Sequence, residues 1–251
     1  MGRNKQVIVI TGSSRGIGAA TAIEAARRGY SVCINYLNDK EKAERVKQEV
    51  ISLGAPCLIV RADVSQQNEV ERMFQEVEHH LGPVTALVNN VGILQEKMNL
   101  VDMPLSRVEQ VLKTNVLSVF ACCQEAIKQM AVSKGGKGGA IVNVSSAASR
   151  LGSAGEYIDY AASKGAMDTL TIGLSKEVAA DNIRVNSVRP GFIHTDIHRD
   201  GGEAERVNRL APILPMRRGG EPEEVANAIL WLLSDESSYV TGSFIDLAGG
   251  L

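Results

Sequence analysis

The chain has 251 residues, 44% of them hydrophobic, and a formal net charge of −2. That length buries a sizeable core and fits one large α/β domain or two small ones. The near-neutral charge and the lack of a basic tail make nucleic acid a poor partner, and no apolar run approaches the roughly 18 residues of a membrane span.

The opening Met1-Gly-Arg-Asn-Lys-Gln6 carries charge without an apolar segment and is not expected to act as a leader. Gln6-Val-Ile-Val-Ile-Thr11 is a continuous apolar run, as expected of a strand buried on both faces. It enters Thr11-Gly12-Ser13-Ser14-Arg15-Gly16-Ile17-Gly18, and helix-forming residues follow over 19–28, ending at Gly29. Strand, glycine-rich turn and helix are the setting a phosphate cradle requires. Gly12 lets the turn close, while Gly16 and Gly18 let backbone amides approach an anion at the helix N-terminus. Gly12, Ser14, Arg15, Gly16, Ile17 and Gly18 are therefore expected to hold a dinucleotide.

Ser31-Val-Cys-Ile-Asn-Tyr36 is the second strand. An acid at its end would bind the adenosine ribose hydroxyls, but Asn35 and Tyr36 stand there. Arg15, inside the glycine loop, could instead pair with a 2′-phosphate, which favours NADP over NAD. The alternatives are that Arg15 is a solvated surface residue and that Asp39, just past the strand, serves NAD.

Residues 40–53 form a charged amphipathic helix, and Cys57-Leu-Ile-Val-Arg-Ala-Asp63-Val64 is the third strand. Asp63, with Val64 beside it, could accept the adenine amino hydrogen bond or be a structural acid in a helix-leading turn. The next helix shows Val70, Met73, Phe74 and Val77 on one face and stops at Leu81-Gly82-Pro83. The fourth strand runs from Thr85 into a turn, where Asn89 and Asn90 before Gly92 fit turn chemistry. Ser106-Arg-Val-Glu109 reads as a capping box opening one long helix. Asn115 interrupts that helix's apolar face, either as a satisfied core group or as part of a polar network. Residues 134–139 are a loop. Ala140-Ile-Val-Asn-Val-Ser-Ser146 is the fifth strand, ending in hydroxyls at the edge where open α/β sheets bind ligands.

Tyr160-Ala-Ala-Ser-Lys164 lies in the next helix, so its phenol and ammonium share one face. A cation one turn away favours the phenolate, and a proton-transfer group working near neutral pH is expected. A sixth strand begins at Ile183 and leads into Arg189-Pro190-Gly191. Residues 192–221 lack a long apolar period and read as a substrate lid. Pro222 starts the last helix, and Ser243-Phe-Ile-Asp-Leu247 is a seventh strand. This alternation predicts a single-domain Rossmann fold, one doubly wound seven-stranded parallel sheet. Cys33, Cys57, Cys122 and Cys123 show no C-x-x-C spacing and read as small hydrophobes in a reducing, cytoplasmic setting, with no metal site.

Taken together in order, Thr11-Gly12-x-x-x-Gly16-Ile17-Gly18, Asp63-Val64, Asn89-Asn90-x-Gly92, Asn115, Ser145-Ser146, Tyr160-x-x-x-Lys164 and Pro190-Gly191 resemble the short-chain dehydrogenase/reductase family over essentially the whole chain. Within it the chain is similar to 3-oxoacyl-carrier-protein reductases, sugar 1-dehydrogenases and other bacterial oxidoreductases. The resemblance implies that Tyr160 is general acid or base, that Lys164 lowers its pKa and holds the nicotinamide ribose, and that Ser146 stabilises the substrate oxygen. It implies that Asn115 holds a relay water, that Asn90 and Gly92 lie near the adenine ribose, and that Pro190, Ile193 and Thr195 position the nicotinamide. It also implies a homotetramer built on the Asn115 helix, the Tyr160 helix and the last strand.

Three departures stand out. Val91 replaces the family's Ala. The interval from Ser146 to Tyr160 is one residue longer than the family's, which brings Glu156 and Tyr157 toward the substrate mouth as candidate specificity residues. The Tyr160 helix ends Lys176-Glu-Val-Ala-Ala-Asp181, a weak surface for docking a carrier protein. The expected activity is NADP(H)-dependent interconversion of a small carbonyl and its secondary alcohol. The alternatives are a sugar or polyol dehydrogenase using NAD(P) and a non-catalytic NADP(H)-sensing regulator.

Overall fold

The computed structural model describes residues 6–251, and the charged opening at residues 1–5 lies outside them. The apolar runs form strands β1 (Val7–Ile10), β2 (Ser31–Tyr36), β3 (Cys57–Arg61), β4 (Ala86–Asn89), β5 (Gly139–Val144), β6 (Ile183–Pro190) and β7 (Phe244–Leu247). All pair in parallel in the order β3-β2-β1-β4-β5-β6-β7. Helices α1 (Gly16–Arg27), α2 (Lys40–Ser52), α3 (Gln67–Leu81), α4 (Leu105–Leu112), α5 (Ser118–Met130), α6 (Ala148–Leu151), α7 (Ile158–Glu177), α8 (Ile197–Asp200), α9 (Arg206–Leu210) and α10 (Pro222–Leu233) complete the chain.

Strand β1 shows why its run is apolar throughout. Val7 and Val9 point into one core with Met73 and Phe74 of α3, Met130 of α5 and Met167 of α7. Ile8 and Ile10 point into the other, against Ala22 and Ala25 of α1, Val46 and Val50 of α2 and Ile229 and Leu230 of α10. Each such side chain fully removed from water contributes about 1.5–3 kcal/mol. Strand order reverses between β1 and β4, so the loops leaving their carboxyl ends diverge and open a crevice.

Three local expectations are corrected. The capping box at Ser106 does not form: extended Pro104 is the N-cap residue, α4 begins at Leu105, and Ser106 lies inside the helix. The single long helix is two, because a π-helical turn at Lys113–Leu117 separates α4 from α5 where Asn115 breaks the apolar stripe. Asn89 lies in strand β4 rather than in a turn, and it is buried. Its Nδ2 donates to Asn143 Oδ1 at 2.9 Å, and Asn143 Nδ2 donates to Thr171 Oγ1 at 2.9 Å, so a polar chain ties β4 through β5 to α7.

The segment 192–221 is pinned at its neck. Ile193 bridges Gly220, and the Gly220 amide donates to the Phe192 carbonyl at 2.9 Å. Between those ends it carries α8, α9 and a 3₁₀ turn at Ala211–Ile213. The four cysteines are free thiols: Cys33, Cys122 and Cys123 are buried and Cys57 is half-buried. Among the described residues no helix is long and apolar enough to cross a membrane.

Candidate active site

A crevice of about 990 Å³ runs over the carboxyl ends of the strands, from the glycine loop to Tyr160 and Lys164. Gly12 and Gly16 have φ of +62° and +55°, which only glycine adopts without strain. A Cβ on Gly18 would come within 2.6 Å of Asn90 Nδ2 and 2.7 Å of the Gly12 carbonyl, so the loop closes only around glycine. No side chain caps α1 and its first turn holds no acid. Its leading amides are thus left for an anion, and Gly12, Ser14, Arg15, Gly16 and Ile17 line the crevice there. Thr195 stands over the same loop, its Cγ2 3.2 Å from where a Gly16 Cβ would be.

The loop is held by two asparagines. Asn35 Oδ1 accepts from the Gly12 amide at 3.0 Å, and its Nδ2 donates to the Val60 and Ala62 carbonyls at 3.4 and 3.0 Å. Asn90 Nδ2 donates to the Thr11 and Gly12 carbonyls at 2.9 and 3.0 Å. Asn35 was legible only as a missing acid. Its role in bracing the loop shows in the sequence as a lone amide inside an apolar strand.

Beyond β2, Asp39 caps α2 by accepting the Lys42 amide at 2.9 Å, and its other oxygen lies 3.6 Å from Lys42 Nζ. Arg15 pairs with Asp200 at 2.7 Å and lies 3.7 Å from Asp196, while Lys42 lies 3.4 Å from Asp196. Two cations from different elements therefore share one corner of the crevice with acids at α8. Asp63 Oδ1 accepts the Ser65 amide at 2.9 Å, as a turn acid does. Asp63 also lines the crevice, as does Val64, which packs into the core.

At the other end, Ser146 stands beside Tyr160, and its Oγ accepts the Ala148 amide at 3.1 Å. Ser145 is turned away, donating to the Lys164 carbonyl at 3.2 Å. Lys164 is buried, and its Nζ donates to the Val144 carbonyl at 2.7 Å and lies 5.6 Å from the Tyr160 ring centroid. Burial pushes the Tyr160 phenol up to about 12, opposed by the neighbouring Ser146 hydroxyl. Burial likewise pushes the Lys164 ammonium down to about 8, opposed by the Asp168 carboxylate. The shift runs opposite to the expected acidification: burial raises the phenol, and the Lys164 ammonium is aimed at a backbone carbonyl.

Asn115 is wholly buried. Its Oδ1 accepts the Ile93 amide at 2.8 Å, and its Nδ2 donates to the Ile93 carbonyl and Ser163 Oγ, each at 3.1 Å. It is both a satisfied core group and part of a polar network, since Ser163 Oγ donates onward to the Tyr160 carbonyl at 2.7 Å. It fixes the loop after β4 to the π turn and α7. Gly92 sits beside Lys164, whose Nζ would meet a Cβ at 3.3 Å. Pro190 ends β6 at the crevice, and the Ile193 carbonyl bonds His198 Nε2 at 3.0 Å. Glu156 and Tyr157 line the crevice too, but they bond to the segment 192–221 through Arg206 and Gly201, partners the sequence did not reveal.

This fold and crevice define a dinucleotide-binding enzyme of the Rossmann class. Residues 12–251 match the family described as enoyl-(acyl carrier protein) reductase. The chain is 56% identical to the uncharacterized oxidoreductase YgfF of Escherichia coli K12 over 97% of its length and 99% of that protein's. It is 36% identical to the 3-oxoacyl-[acyl-carrier-protein] reductase FabG of Staphylococcus aureus, over 97% and 96% of the two chains. A short-chain type dehydrogenase/reductase from Mycobacterium marinum superposes with a TM-score of 0.91 at 34% identity, covering 98% of this chain and 94% of that one. The chain belongs to the short-chain dehydrogenase/reductase family, and it is an oxidoreductase of the kind that uses a nicotinamide cofactor.

Proposed function

We propose that the protein is an NADP(H)-dependent reductase of a small carbonyl compound, with Tyr160 as the proton donor. The observation that carries this is that Ser146, Tyr160 and Lys164 stand together at the far end of the crevice that begins at the uncapped α1 N-terminus. The glycine loop fits a pyrophosphate: its amides lead the helix, no acid competes, and Cβ atoms would fill the space. A bound nicotinamide dinucleotide supplies or accepts the hydride. Ser146 hydrogen-bonds the substrate oxygen as negative charge builds on it, and Tyr160 delivers a proton to the same oxygen. Lys164 anchors the coenzyme ribose beside Gly92, and Asn115 keeps that wall in place.

The raised phenol pKa keeps Tyr160 protonated across the neutral range, the form that donates to a carbonyl oxygen. Two features support NADP(H): Arg15 and Lys42 converge at one corner, and Asp39 is already used as a cap. Exposed Leu117 and Phe120, flanking and within α5, support the homotetramer.

Tyr160→Phe tests the reading. Turnover is expected to fall roughly 10²–10⁴-fold with coenzyme binding little changed. Undiminished carbonyl reduction by that variant would overturn it.

A further inference from the structure

Three segments around the substrate end of the crevice are bonded to one another rather than to their own elements. They are the loop 94–98 after β4, the turn 156–159 ahead of Tyr160, and the stretch 201–206 between α8 and the start of α9. Arg206 is the centre. Its guanidinium is almost wholly buried, donates from Nη1 to Glu156 at 3.0 Å and to Glu203 at 2.9 Å, and makes a second bond to Glu156 through Nη2. It lies 5.2 Å from the Tyr157 ring centroid and 5.4 Å from that of Phe192. The Tyr157 hydroxyl donates to the Gly201 carbonyl at 3.0 Å. The loop 94–98 closes the ring: the Met98 amide donates to the Glu156 carbonyl at 2.9 Å, and Lys97 pairs with Glu203 at 3.0 Å. Arg107 secures it from behind, donating to the Glu96 carbonyl and forking onto buried Asp159 at 2.8 and 3.2 Å.

We infer that these segments form one collar, with Arg206 as its clasp, which limits substrates to compact carbonyl compounds and excludes acyl chains tethered to pantetheine or a carrier protein. This rests on the proposed reductase activity and adds the substrate class. Two observations set that class. First, bonds cross from the turn before Tyr160 to the lid, where a tethered chain would have to leave the site, and freeing a buried guanidinium from its carboxylate is strongly unfavourable. Second, Arg206, the clasp cation that lines the crevice, is spent on Glu156 and Glu203, so it is not free to hold a substrate carboxylate or phosphate. Leu94, Leu151, Tyr157 and Phe192 line the crevice there, with Gln110, Lys113 and Ser153 also on its wall. Arg206, Glu156 and Tyr157 are positioning residues, acting through the lid.

Two readouts test the collar. In the first, the purified full chain is given NADPH with ethyl 3-oxobutanoate and with the pantetheine thioester of the same acyl group. The wild type is expected to favour the ester by about tenfold or more in kcat/KM, and Tyr157→Phe and Glu156→Gln to narrow that ratio through the KM of the thioester. A wild type that reduces both alike, with a ratio unmoved by either variant, overturns the collar. The second needs no turnover: hydrogen–deuterium exchange over 94–102, 156–159 and 196–210. The collar predicts that Glu156→Gln quickens exchange in all three segments together, by about tenfold. Exchange raised only around residue 156 overturns it. If no carbonyl is reduced by any form, the reductase reading falls, and the exchange pattern alone decides the collar.

Discussion

Lys164 and Tyr160 share a helix face, yet the ammonium donates to the Val144 carbonyl at 2.7 Å and stands 5.6 Å from the phenol's ring centroid. The lysine is therefore a buried cation satisfied by one carbonyl, and burial lowers its pKa from 10.5 to about 8. The unfolded chain binds that proton up to about pH 10.5, whereas the folded chain releases it near 8. Between those values the unfolded state holds more protons, so this group's contribution to stability rises with pH. We expect Lys164→Met, compared with wild type by urea unfolding at pH 7 and pH 10, to lose roughly 2 kcal/mol of relative stability over that interval. A pH-independent difference would show that Lys164 is not a desolvated cation.

The phenol follows the opposite arithmetic. A Tyr160 pKa raised to about 12 leaves the proton in place at neutral pH, so reduction of a carbonyl should stay level from pH 6 to 9. Alcohol oxidation needs the phenolate and should climb about tenfold per pH unit over the same range where proton transfer limits the rate. Initial rates in both directions check this. Level oxidation under those conditions would remove Tyr160 as the base.

At the coenzyme corner, Arg15 is held by Asp200 at 2.7 Å, and a 2′-phosphate would have to displace that carboxylate. Arg15→Ala is expected to weaken NADPH binding by about tenfold or more while leaving NADH nearly unchanged. Asp200→Asn frees the guanidinium, and because the pair is exposed it should tighten NADPH by only about two- to fivefold. Calorimetry with both coenzymes measures this, and equal losses of NADPH and NADH in Arg15→Ala would exclude a 2′-phosphate contact.

The sheet was readable because burial on both faces leaves strands such as β1 and β2 almost uniformly apolar, and glycine at 12, 16 and 18 marks the turn by its chemistry. Motifs set by neighbouring residues survived for the same reason. The features that were not legible depend on distant partners. Glu156 and Tyr157 look like free substrate contacts until Arg206 and Gly201, 50 and 44 residues further on, fold against them. Ser106 carries a cap pattern, but Pro104 sets the helix start two residues earlier. The displaced Tyr160 pKa depends on how much protein surrounds the ring and on where Lys164 points, and neither follows from a four-residue spacing.

Asn35 offers the last test, since it separates bracing of the loop from contact with the ligand. Its amide accepts from Gly12 and donates to Val60 and Ala62, joining the glycine loop to β3 across the end of β2. Asn35→Leu preserves much of the volume but strands the Gly12 amide and two carbonyls, and each buried group left unpaired costs about 1–3 kcal/mol. The variant is expected to unfold at lower denaturant and to lose NADPH and NADH affinity by the same factor, because the strand end braces the pyrophosphate loop common to both. That equal loss is the opposite of the pattern expected for Arg15→Ala. A selective loss of one coenzyme in Asn35→Leu would instead place the amide at the ribose.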